Sequence, residues 1–288
     1  MPKLTPDLKV LLQYALPHRA ISRLTFYLAR MRSPLVAPAI RWFVARYQVD
    51  LSEAEFPDPV AYLTFNDFFT RALKPDARPV VSQNDAIASP ADGRISAIGH
   101  IDETHIFQAK GHGYSLEDLL AGEDCAMPYR NGLFATIYLS PRDYHRVHMP
   151  RDGKLTHMTY VPGRLFSVAP FTVENIPGLF ARNERVIAHF ETDCGPMALV
   201  LVGAINVAAI ETSWAGLITP PHRNKVAHTH YSSADGKSIN LRRGQEMGRF
   251  NLGSTVILLF SQGAASWDTQ LAPTMPVRMG QQLGRCRH

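Results

Sequence analysis

The sequence Leu252-Gly253-Ser254-Thr255-Val256-Ile257-Leu258-Leu259-Phe260 sets a Gly-Ser pair directly before a run of bulky apolar residues. This run follows the polar stretch 237–249, and its β-branched and large side chains predict a buried strand. Gly253 has no Cβ, which leaves its carbonyl carbon open to approach, and Ser254 places a hydroxyl beside that carbonyl. A β-turn before a strand accounts for most such pairs. The same two residues are also what a chain needs to attack its own backbone.

From about residue 85 onward, the sequence pattern is typical of a β-protein. Short apolar runs recur between Gly, Pro and Asp turns, and their spacing predicts mainly antiparallel strands in a sandwich or an open, barrel-like sheet. A short helix over Ser115–Ala121 interrupts them, with Ser115 as its N-cap. Including the N-terminal helices described below, the expected fold is α+β. The predicted strands are Leu133–Leu139, Met158–Val161, Val186–Phe190, Ala198–Ile205 and Val256–Phe260.

The N-terminal 50 residues differ from the rest in charge and pattern. They carry eight lysines and arginines against two acids, whereas the other 238 residues carry 22 basic and 23 acidic side chains. Apolar stripes predict three short amphipathic helices, Pro6–Leu16, His18–Met31 and Ala39–Tyr47. We therefore divide the chain into membrane-associating helices (1–50), a connector packed on the core (51–84, with a helix over 64–73) and a β-rich catalytic domain (85–288).

Three meanings are open for this basic, apolar segment. The helices could simply pack on the core with their arginines solvated, or they could bind nucleic acid, which the broad apolar face and the slightly acidic remainder disfavour. The third is a helix set lying on anionic lipid, where each basic residue contributes about 1 kcal/mol. We expect this one, and with it a peripheral protein on the cytoplasmic face of the inner membrane, without a cleavable signal. The longest apolar run, Met197–Ile210, is too short to span a bilayer.

The cysteines and most histidines carry no recognisable motif. Cys125, Cys194 and Cys286 are odd in number, widely spaced and without a CxxC pair. They predict a reducing compartment, with neither a disulfide framework nor a zinc site. His112, His157 and His189 belong with ordinary histidines on the sequence alone.

Two further segments give the Gly-Ser pair its chemical meaning. In residues 140–150 (SPRDYHRVHMP), Ser140 as N-cap and Pro141 after it predict a helix of about two turns, with His145 and His148 on one face. In residues 89–94 (SPADGR), a turn presents the carboxylate of Asp92. An Asp to orient, a His to take a proton and a Ser to attack are the parts of a nucleophilic triad.

Together these segments resemble the bacterial phosphatidylserine decarboxylases, a family of pyruvoyl-dependent proenzymes. Each block is weak alone, but their joint occurrence in family order is specific. The Leu-Gly-Ser-Thr form of the motif matches the membrane-associated bacterial members. Further blocks that carry the resemblance are Tyr62-Leu63-Thr64-Phe65-Asn66-Asp67-Phe68-Phe69, Gln108-Ala109-Lys110-Gly111-His112, Phe180-Ala181-Arg182-Asn183-Glu184-Arg185-Val186, Trp214-Ala215-Gly216 and Gly244-Gln245-Glu246-Met247-Gly248-Arg249-Phe250.

The resemblance implies that the chain cuts itself. Asp92 would orient His148, His148 would deprotonate Ser254, and the serine would attack the carbonyl of Gly253. The products would be a β chain of residues 1–253 and an α chain of residues 254–288 that begins with a pyruvoyl group derived from Ser254.

The resemblance also implies the second activity, decarboxylation of phosphatidylserine to phosphatidylethanolamine. The pyruvoyl at residue 254 would form a Schiff base with the substrate amine and accept the electrons released with carbon dioxide. His148 would return a proton to the α-carbon, and His145 would contact the head group or the leaving carboxylate. The expected partners are phosphatidylserine, an anionic membrane surface and the two chains of one precursor; a homodimer stays open, and nucleic acid is not expected.

Other readings of the same residues remain. We expect no pyridoxal phosphate, because no Gly-rich loop precedes a helix with a suitable lysine, and no metal, because the pair His145 and His148 lacks a third ligand nearby. Either histidine could instead satisfy a buried backbone group. A serine hydrolase could use Ser254, His148 and Asp92 on an external ester, although the Gly-x-Ser-x-Gly elbow is missing. A non-catalytic, membrane-binding β-module, in which the Gly-Ser pair is only a turn, is the third candidate.

Overall fold

A computed structural model describes residues 6–205, 209–219, 224–232, 238–251 and 254–287. The α-helices are α1 (Pro6–Ala15), α2 (His18–Arg30), α3 (Val36–Tyr47), α4 (Phe65–Phe69), α5 (Leu116–Leu120), α6 (Glu123–Ala126), α7 (Pro170–Asn175) and α8 (Leu179–Arg182). The strands are β1 (Ala86–Ala88), β2 (Gly93–His100), β3 (His105–Ala109), β4 (His112–Ser115), β5 (Leu133–Leu139), β6 (Arg146–His148), β7 (Gly153–Val161), β8 (Arg185–Thr192), β9 (Gly195–Val202), β10 (Ile210–Thr212), β11 (Gly216–Leu217), β12 (Ala227–His230), β13 (Asn240–Leu241), β14 (Glu246–Phe250), β15 (Ser254–Phe260), β16 (Ala265–Trp267), β17 (Pro276–Val277) and β18 (Gln282–Cys286).

Strand β15 lies in the interior of a nine-stranded, antiparallel sheet. The strand order is β12-β7-β8-β9-β15-β5-β2-β17, with β13 paired to β7 off this path. On one side Ile257 is opposite Thr136 of β5, and on the other side it is opposite Val200 of β9. All seven residues of β15 are buried. A strand buried on both faces reads as a continuous apolar run, so the predicted strand Val256–Phe260 is confirmed and begins two residues earlier.

Smaller sheets extend this core. One has the order β11-β10-β14-β6, another β1-β18-β16, and β3 pairs with β4 alone. The strands that follow β15 return to different parts of the fold, because β17 pairs with β2 whereas β18 pairs with β1. The sheets form a sandwich-like arrangement without closing into a barrel among the described residues. The predicted α+β class, with N-terminal helices and mainly antiparallel sheets, is confirmed.

The N-terminal helices form close to where the sequence predicted them. Helix α3 begins at Val36, three residues earlier than expected, because Pro38 falls in its first turn, where no N–H is needed. Its buried side chains Ile40 and Phe43 pack against Phe68 and Phe69 of the connector, and together they form a hydrophobic cluster separate from that of the large sheet. Among the described residues no helix has the length and apolar character to cross a membrane.

The predicted helix over residues 140–150 is wrong. Ser140 and Asp143 do make the contact typical of a helix start, since the Ser140 N–H donates to Asp143 Oδ2 at 2.7 Å. The chain then extends, and Arg146–His148 form β6, which pairs with β14. Pairing with β14 satisfies the backbone groups of this segment and buries the β-branched Val147 completely. In an extended chain residues three apart point to opposite faces, so His145 and His148 do not share one.

The expectation that the cysteines form no disulfide is also wrong. Cys194, in the turn between β8 and β9, is joined to Cys286 at the end of β18, with their Cα atoms 5.5 Å apart. The two cysteines are 92 residues apart in sequence, and the turn and the strand meet only in the folded chain. Cys125 remains a free thiol.

We predict that Leu258→Ala destabilises the protein far more than Leu63→Ala. Leu258 is fully buried between β5 and β9, whereas the side chain of Leu63 is 60% exposed. Truncating a buried leucine leaves a cavity and costs about 2–5 kcal/mol of unfolding free energy, while an exposed one costs within about 0.5 kcal/mol. Urea denaturation of the two variants measures the difference. Equal midpoints would show that β15 is not at the centre of the core.

Candidate active site

Ser254 is the first residue of β15 and is completely buried. Its backbone lies opposite Leu139, the last residue of β5. Its Oγ has no hydrogen-bond partner among the described residues. A buried hydroxyl left unpaired costs about 1–3 kcal/mol of folding free energy. A group kept at such a cost is a candidate for a functional role. Leu252 and Gly253, the other side of the predicted cleavage bond, lie outside the described residues.

His148 is held as a neutral base by two neighbours. Its Nδ1 is 2.8 Å from the carbonyl oxygen of Gly244, which can only accept, so Nδ1 carries the proton. Its Nε2 lies 3.0 Å from the hydroxyl of Tyr144, which can donate to it. Burial lowers the pKa of His148 below its ordinary value, against the opposing effect of the Gly244 carbonyl. The imidazole is therefore unprotonated at neutral pH, with its lone pair on Nε2.

His145 lies in a different environment. Its ring packs against Phe69, with centroids 4.1 Å apart, and its Nδ1 is 2.8 Å from the carbonyl oxygen of Asp143. Complete burial lowers the pKa of His145 to about 3. Its Nε2 is buried and has no partner among the described residues. The His145 carbonyl accepts from the N–H of Phe250, four residues before Ser254, so this histidine lies beside the chain that leads to the serine.

Asp92 is buried in an ion pair that the sequence did not reveal. Arg78 Nε is 2.8 Å from Asp92 Oδ1, Arg78 Nη2 is 2.6 Å from Oδ2, and the N–H of Met279 also donates to Oδ1. The same Arg78 Nη2 is 2.8 Å from Glu53 Oε2. Burial alone would lower the pKa of Arg78, but its hydrogen bonds to the two carboxylates outweigh burial and raise it.

The structure links the segment of Asp92 to the strand of His148 by a backbone hydrogen bond, without joining the side chains of the predicted residues. The His148 N–H donates to the carbonyl of Pro90, two residues before Asp92. Asp92 nevertheless contacts Arg78, and His148 contacts Gly244 and Tyr144. No hydrogen bond among the described residues links Asp92 to His148 or His148 to Ser254. Catalytic hydrogen bonds are often long in a resting site and tighten only when the reacting groups engage.

Two of the residues around this site were missed by sequence reasoning for different reasons. Tyr144 lies within the quoted segment 140–150, and only its contact with His148 marks it. Arg78 lies in the proline-rich connector, where nothing in the spacing points to Asp92, 14 residues further on. The sequence shows an arginine among prolines, but it does not show which carboxylate that arginine would pair with.

Two cavities adjoin these residues and differ in character. One, of about 290 Å³, contains Asp92 and is rich in charge, with Asp50, Glu53 and Asp143 facing five arginines: Arg71, Arg78, Arg94, Arg142 and Arg278. The other, of about 400 Å³, is mostly apolar and is lined by residues that include Ile95, Tyr138, Ser140, Val168 and Val173. Arg94 and Arg142 line both. The pair can take a molecule with a charged end and an apolar end.

Comparison with known proteins gives consistent matches. The family model described as phosphatidylserine decarboxylase matches residues 65–285, and a second, described as PSD, matches residues 8–48. A phosphatidylserine decarboxylase proenzyme of Stutzerimonas stutzeri (strain A1501) is 55% identical over 96% of this chain and 93% of its own length. Proteins with the same description from Bordetella pertussis (strain Tohama I) and Shewanella frigidimarina (strain NCIMB 400) are 56% and 50% identical, over 94% and 98% of this chain and 92% and 99% of their own lengths.

We predict that Arg78→Met lowers the unfolding free energy by about 3–5 kcal/mol, because it leaves the buried carboxylate of Asp92 without its counter-ion. The Arg78 and Asp92 side chains are only 8% and 9% exposed. The matched control is Arg285→Met, which removes an ion pair whose arginine is 53% exposed and should cost about 0–1 kcal/mol. Denaturation midpoints report both. A wild-type midpoint for Arg78→Met would show that the carboxylate does not depend on this arginine.

Proposed function

The chain belongs to the phosphatidylserine decarboxylase family, and on that basis we propose that it cuts itself between Gly253 and Ser254 and then converts phosphatidylserine to phosphatidylethanolamine. The observation that carries the proposal is the buried Oγ of Ser254 at the start of β15, which has no hydrogen-bond partner in the described part of the chain. An external substrate cannot easily reach a completely buried hydroxyl, whereas the preceding carbonyl is part of the same chain. The burial of Ser254 therefore favours self-cleavage over a serine hydrolase acting on an external ester.

In the first step His148 Nε2 takes the proton of Ser254 Oγ, and Oγ attacks the carbonyl carbon of Gly253. The peptide C–N bond breaks, an ester forms, and the nitrogen of residue 254 becomes an amine. Intramolecular attack of this kind gains from effective molarities that reach about 10⁵–10⁸ M when the geometry is held. For this step Ser254 must replace Tyr144 as the partner of Nε2.

Asp92 supports this step by its charge. Burial has the largest effect and lowers the pKa of His148; the Gly244 carbonyl, Glu246 and, least of the three, Asp92 oppose it and so favour the imidazolium that forms when the histidine takes the serine proton. The Gly244 carbonyl meanwhile keeps the proton on Nδ1. We therefore propose that the Gly244 carbonyl orients the ring of His148 and that Asp92 contributes only its charge.

In the second step residue 254 loses its Cα proton, and the bond from its Cβ to the ester oxygen breaks. Gly253 leaves as a carboxylate. The unsaturated residue 254 rearranges and takes up water, and ammonia is released with formation of the pyruvoyl group. The new ends belong to chains 1–253 and 254–288. They stay together because β15 is hydrogen-bonded on both sides and β17 and β18 are paired with strands of the other chain.

Decarboxylation requires the substrate amine to reach residue 254, which self-cleavage turns from an interior residue of the chain into a chain end. The pyruvoyl carbonyl would supply an electrophile for the substrate amine and a sink for the electron pair left by carbon dioxide. His148 is the group that we propose to return a proton to the α-carbon, and His145, with its free Nε2, to contact the head group or carboxylate. Arg94 and Arg142, which line both cavities, can pair with the phosphate while the apolar cavity accepts the glycerol end.

The surface of the N-terminal helices supports a location on an anionic membrane, which we propose to be the cytoplasmic face of the inner membrane. Large apolar side chains on α2, α3 and the turn between them are exposed, among them Leu24, Tyr27, Leu28, Leu35 and Trp42. An open apolar cavity of about 560 Å³ lies between the same helices. Exposed apolar surface of this extent beside basic residues is typical of a helix set that lies in the lipid interface.

The experiment that tests the self-cleavage compares three variants on a reducing, denaturing gel. Ser254→Ala should remain whole, because the attacking oxygen is gone. His148→Ala should also remain whole, because the base is gone. His145→Ala should be cleaved to chains 1–253 and 254–288 and should then decarboxylate poorly. An uncleaved His145→Ala beside a cleaved His148→Ala would reverse the two roles, and cleavage of Ser254→Ala would refute the nucleophile.

Binding to vesicles that contain anionic lipid tests the membrane proposal. The triple variant Leu28→Ser, Leu35→Ser and Trp42→Ser should bind at least about tenfold more weakly, since each side chain loses apolar contact with lipid. The control Phe107→Ser, Met127→Ser and Val226→Ser removes apolar side chains elsewhere that are 42–57% exposed, against 55–73% for the test variant, and it should bind normally. Point changes are sharper than truncation, because removing α3 would uncover Phe68 and Phe69. Equal binding of the two triple variants would contradict the proposal.

A further inference from the structure

Three histidines lie in a row across adjacent strands of the large sheet, on strands that carry none of the residues assigned above. His230 of β12 is opposite His157 of β7, and His157 is opposite His189 of β8. The rings of His157 and His189 stack, with centroids 3.9 Å apart, and the ring of His230 is 5.8 Å from that of His157. The pairing register of three strands therefore concentrates imidazoles at one place.

Cys125, the free cysteine, joins this row from helix α6. Its Sγ lies 3.9 Å from His157 Nε2, and one ligand atom each of Cys125, His157 and His189 lie within 4.8 Å of one another. In a tetrahedral zinc site with ordinary bond lengths, neighbouring ligand atoms are roughly 3.3–3.6 Å apart. Ligand atoms that are up to 4.8 Å apart must therefore close by up to about 1.2–1.5 Å, and the stacked rings of His157 and His189, inclined by only 13°, must tilt so that both lone pairs point at one ion.

The second nitrogen of each stacked histidine is already held. Thr156 donates its hydroxyl proton to the carbonyl of His189, so it can only accept from His157 Nδ1, 3.1 Å away. The proton of His157 is therefore on Nδ1, and its Nε2 lone pair is free. His189 Nδ1 lies 3.1 Å from the hydroxyl of Tyr129. Metal-binding histidines are commonly oriented in this way, through a hydrogen bond from the nitrogen that does not bind.

The Nε2 of His189 gives an independent sign of a missing ligand. This atom is buried and has no hydrogen-bond partner among the described residues. Because His189 as a whole is only 4% exposed, solvent does not readily supply one. An unpaired polar atom at such a depth is costly, and a metal ion would remove that cost.

We propose that Cys125, His157 and His189 form a binding site for a divalent transition-metal ion of the Zn²⁺ type, with water or His230 in the fourth position. Sulfur and imidazole together select such an ion over Mg²⁺ or Ca²⁺. Binding displaces the thiol proton of Cys125 to solvent and leaves a thiolate on the metal. The ion connects helix α6 to β7 and β8, so its role is to stabilise the fold.

Cobalt(II) titration of the full-length protein, freed of metal with a chelator and kept without reductant, tests this site. A thiolate–cobalt charge-transfer band should grow to one ion per chain and disappear when Zn²⁺ is added. Because Cys194 and Cys286 are joined to each other, that band reports on Cys125 alone. Cys125→Ser should abolish the band, and His105→Gln, which changes an exposed histidine elsewhere, should leave it intact.

A second set of measurements does not depend on the loss of a ligand. Thr156→Val keeps all three ligands but removes the acceptor of His157 Nδ1, and it should weaken Zn²⁺ binding about 10–100-fold. Saturating Zn²⁺ should raise the melting temperature of the wild type and not that of Cys125→Ser. The proposal is overturned if the wild type shows no thiolate band at one equivalent of cobalt. It is equally overturned if Cys125→Ser binds Zn²⁺ as tightly as the wild type.

Discussion

The double-sided pairing of strand β15 is the constraint on which the rest of the structure depends. Its backbone is bonded to β9 from Thr255 onward and to β5 along its whole length, so that its first residue, Ser254, lies opposite Leu139 of β5, and both faces of the strand are buried. The strand thereby holds the hydroxyl of Ser254 in the interior, where it has no hydrogen-bond partner among the described residues. The chain before the strand arrives from β14, whose partner β6 ends in His148. One sheet position thus sets where the nucleophile lies and which histidines lie near it.

A second interaction ties the N-terminal part of the chain to this site. Arg78 spans Asp92 and Glu53, so the connector is held to the turn that presents the carboxylate. The same connector packs Phe69 on the ring of His145 and, through α4, on the helix α3. The N-terminal helices, which we propose to lie on the membrane, are therefore linked through Phe69 of the connector to His145, which we propose to contact the head group. Pairing and packing, more than sequence proximity, bring these groups together.

The strands were the part of this fold most open to prediction, because a buried strand leaves a continuous apolar run such as 256–260 or 133–139 in the sequence. The segment 140–150 misled us because its start carries a true helix-capping contact, and only the distant strand β14 decides that Arg146–His148 extend. The ion pair of Asp92 with Arg78 and the disulfide of Cys194 with Cys286 were beyond reach for the same reason, since both depend on long-range contacts. The identity of Ser254, His148 and Asp92 as candidates came from the motifs, whereas their present partners came only from the structure.

The disulfide has a topological meaning once the bond after Gly253 is considered. Cys194 precedes that bond and Cys286 follows it, so the backbone from 194 to 286 and the sulfur bridge close a covalent ring. Cutting one peptide bond in a ring opens it and releases nothing. Processed protein would keep the mass of a single polypeptide, apart from the small groups exchanged in the reaction, until the bridge is reduced. Self-cleavage would therefore set the number of chain ends, whereas the redox state of the disulfide would set whether the two chains can separate.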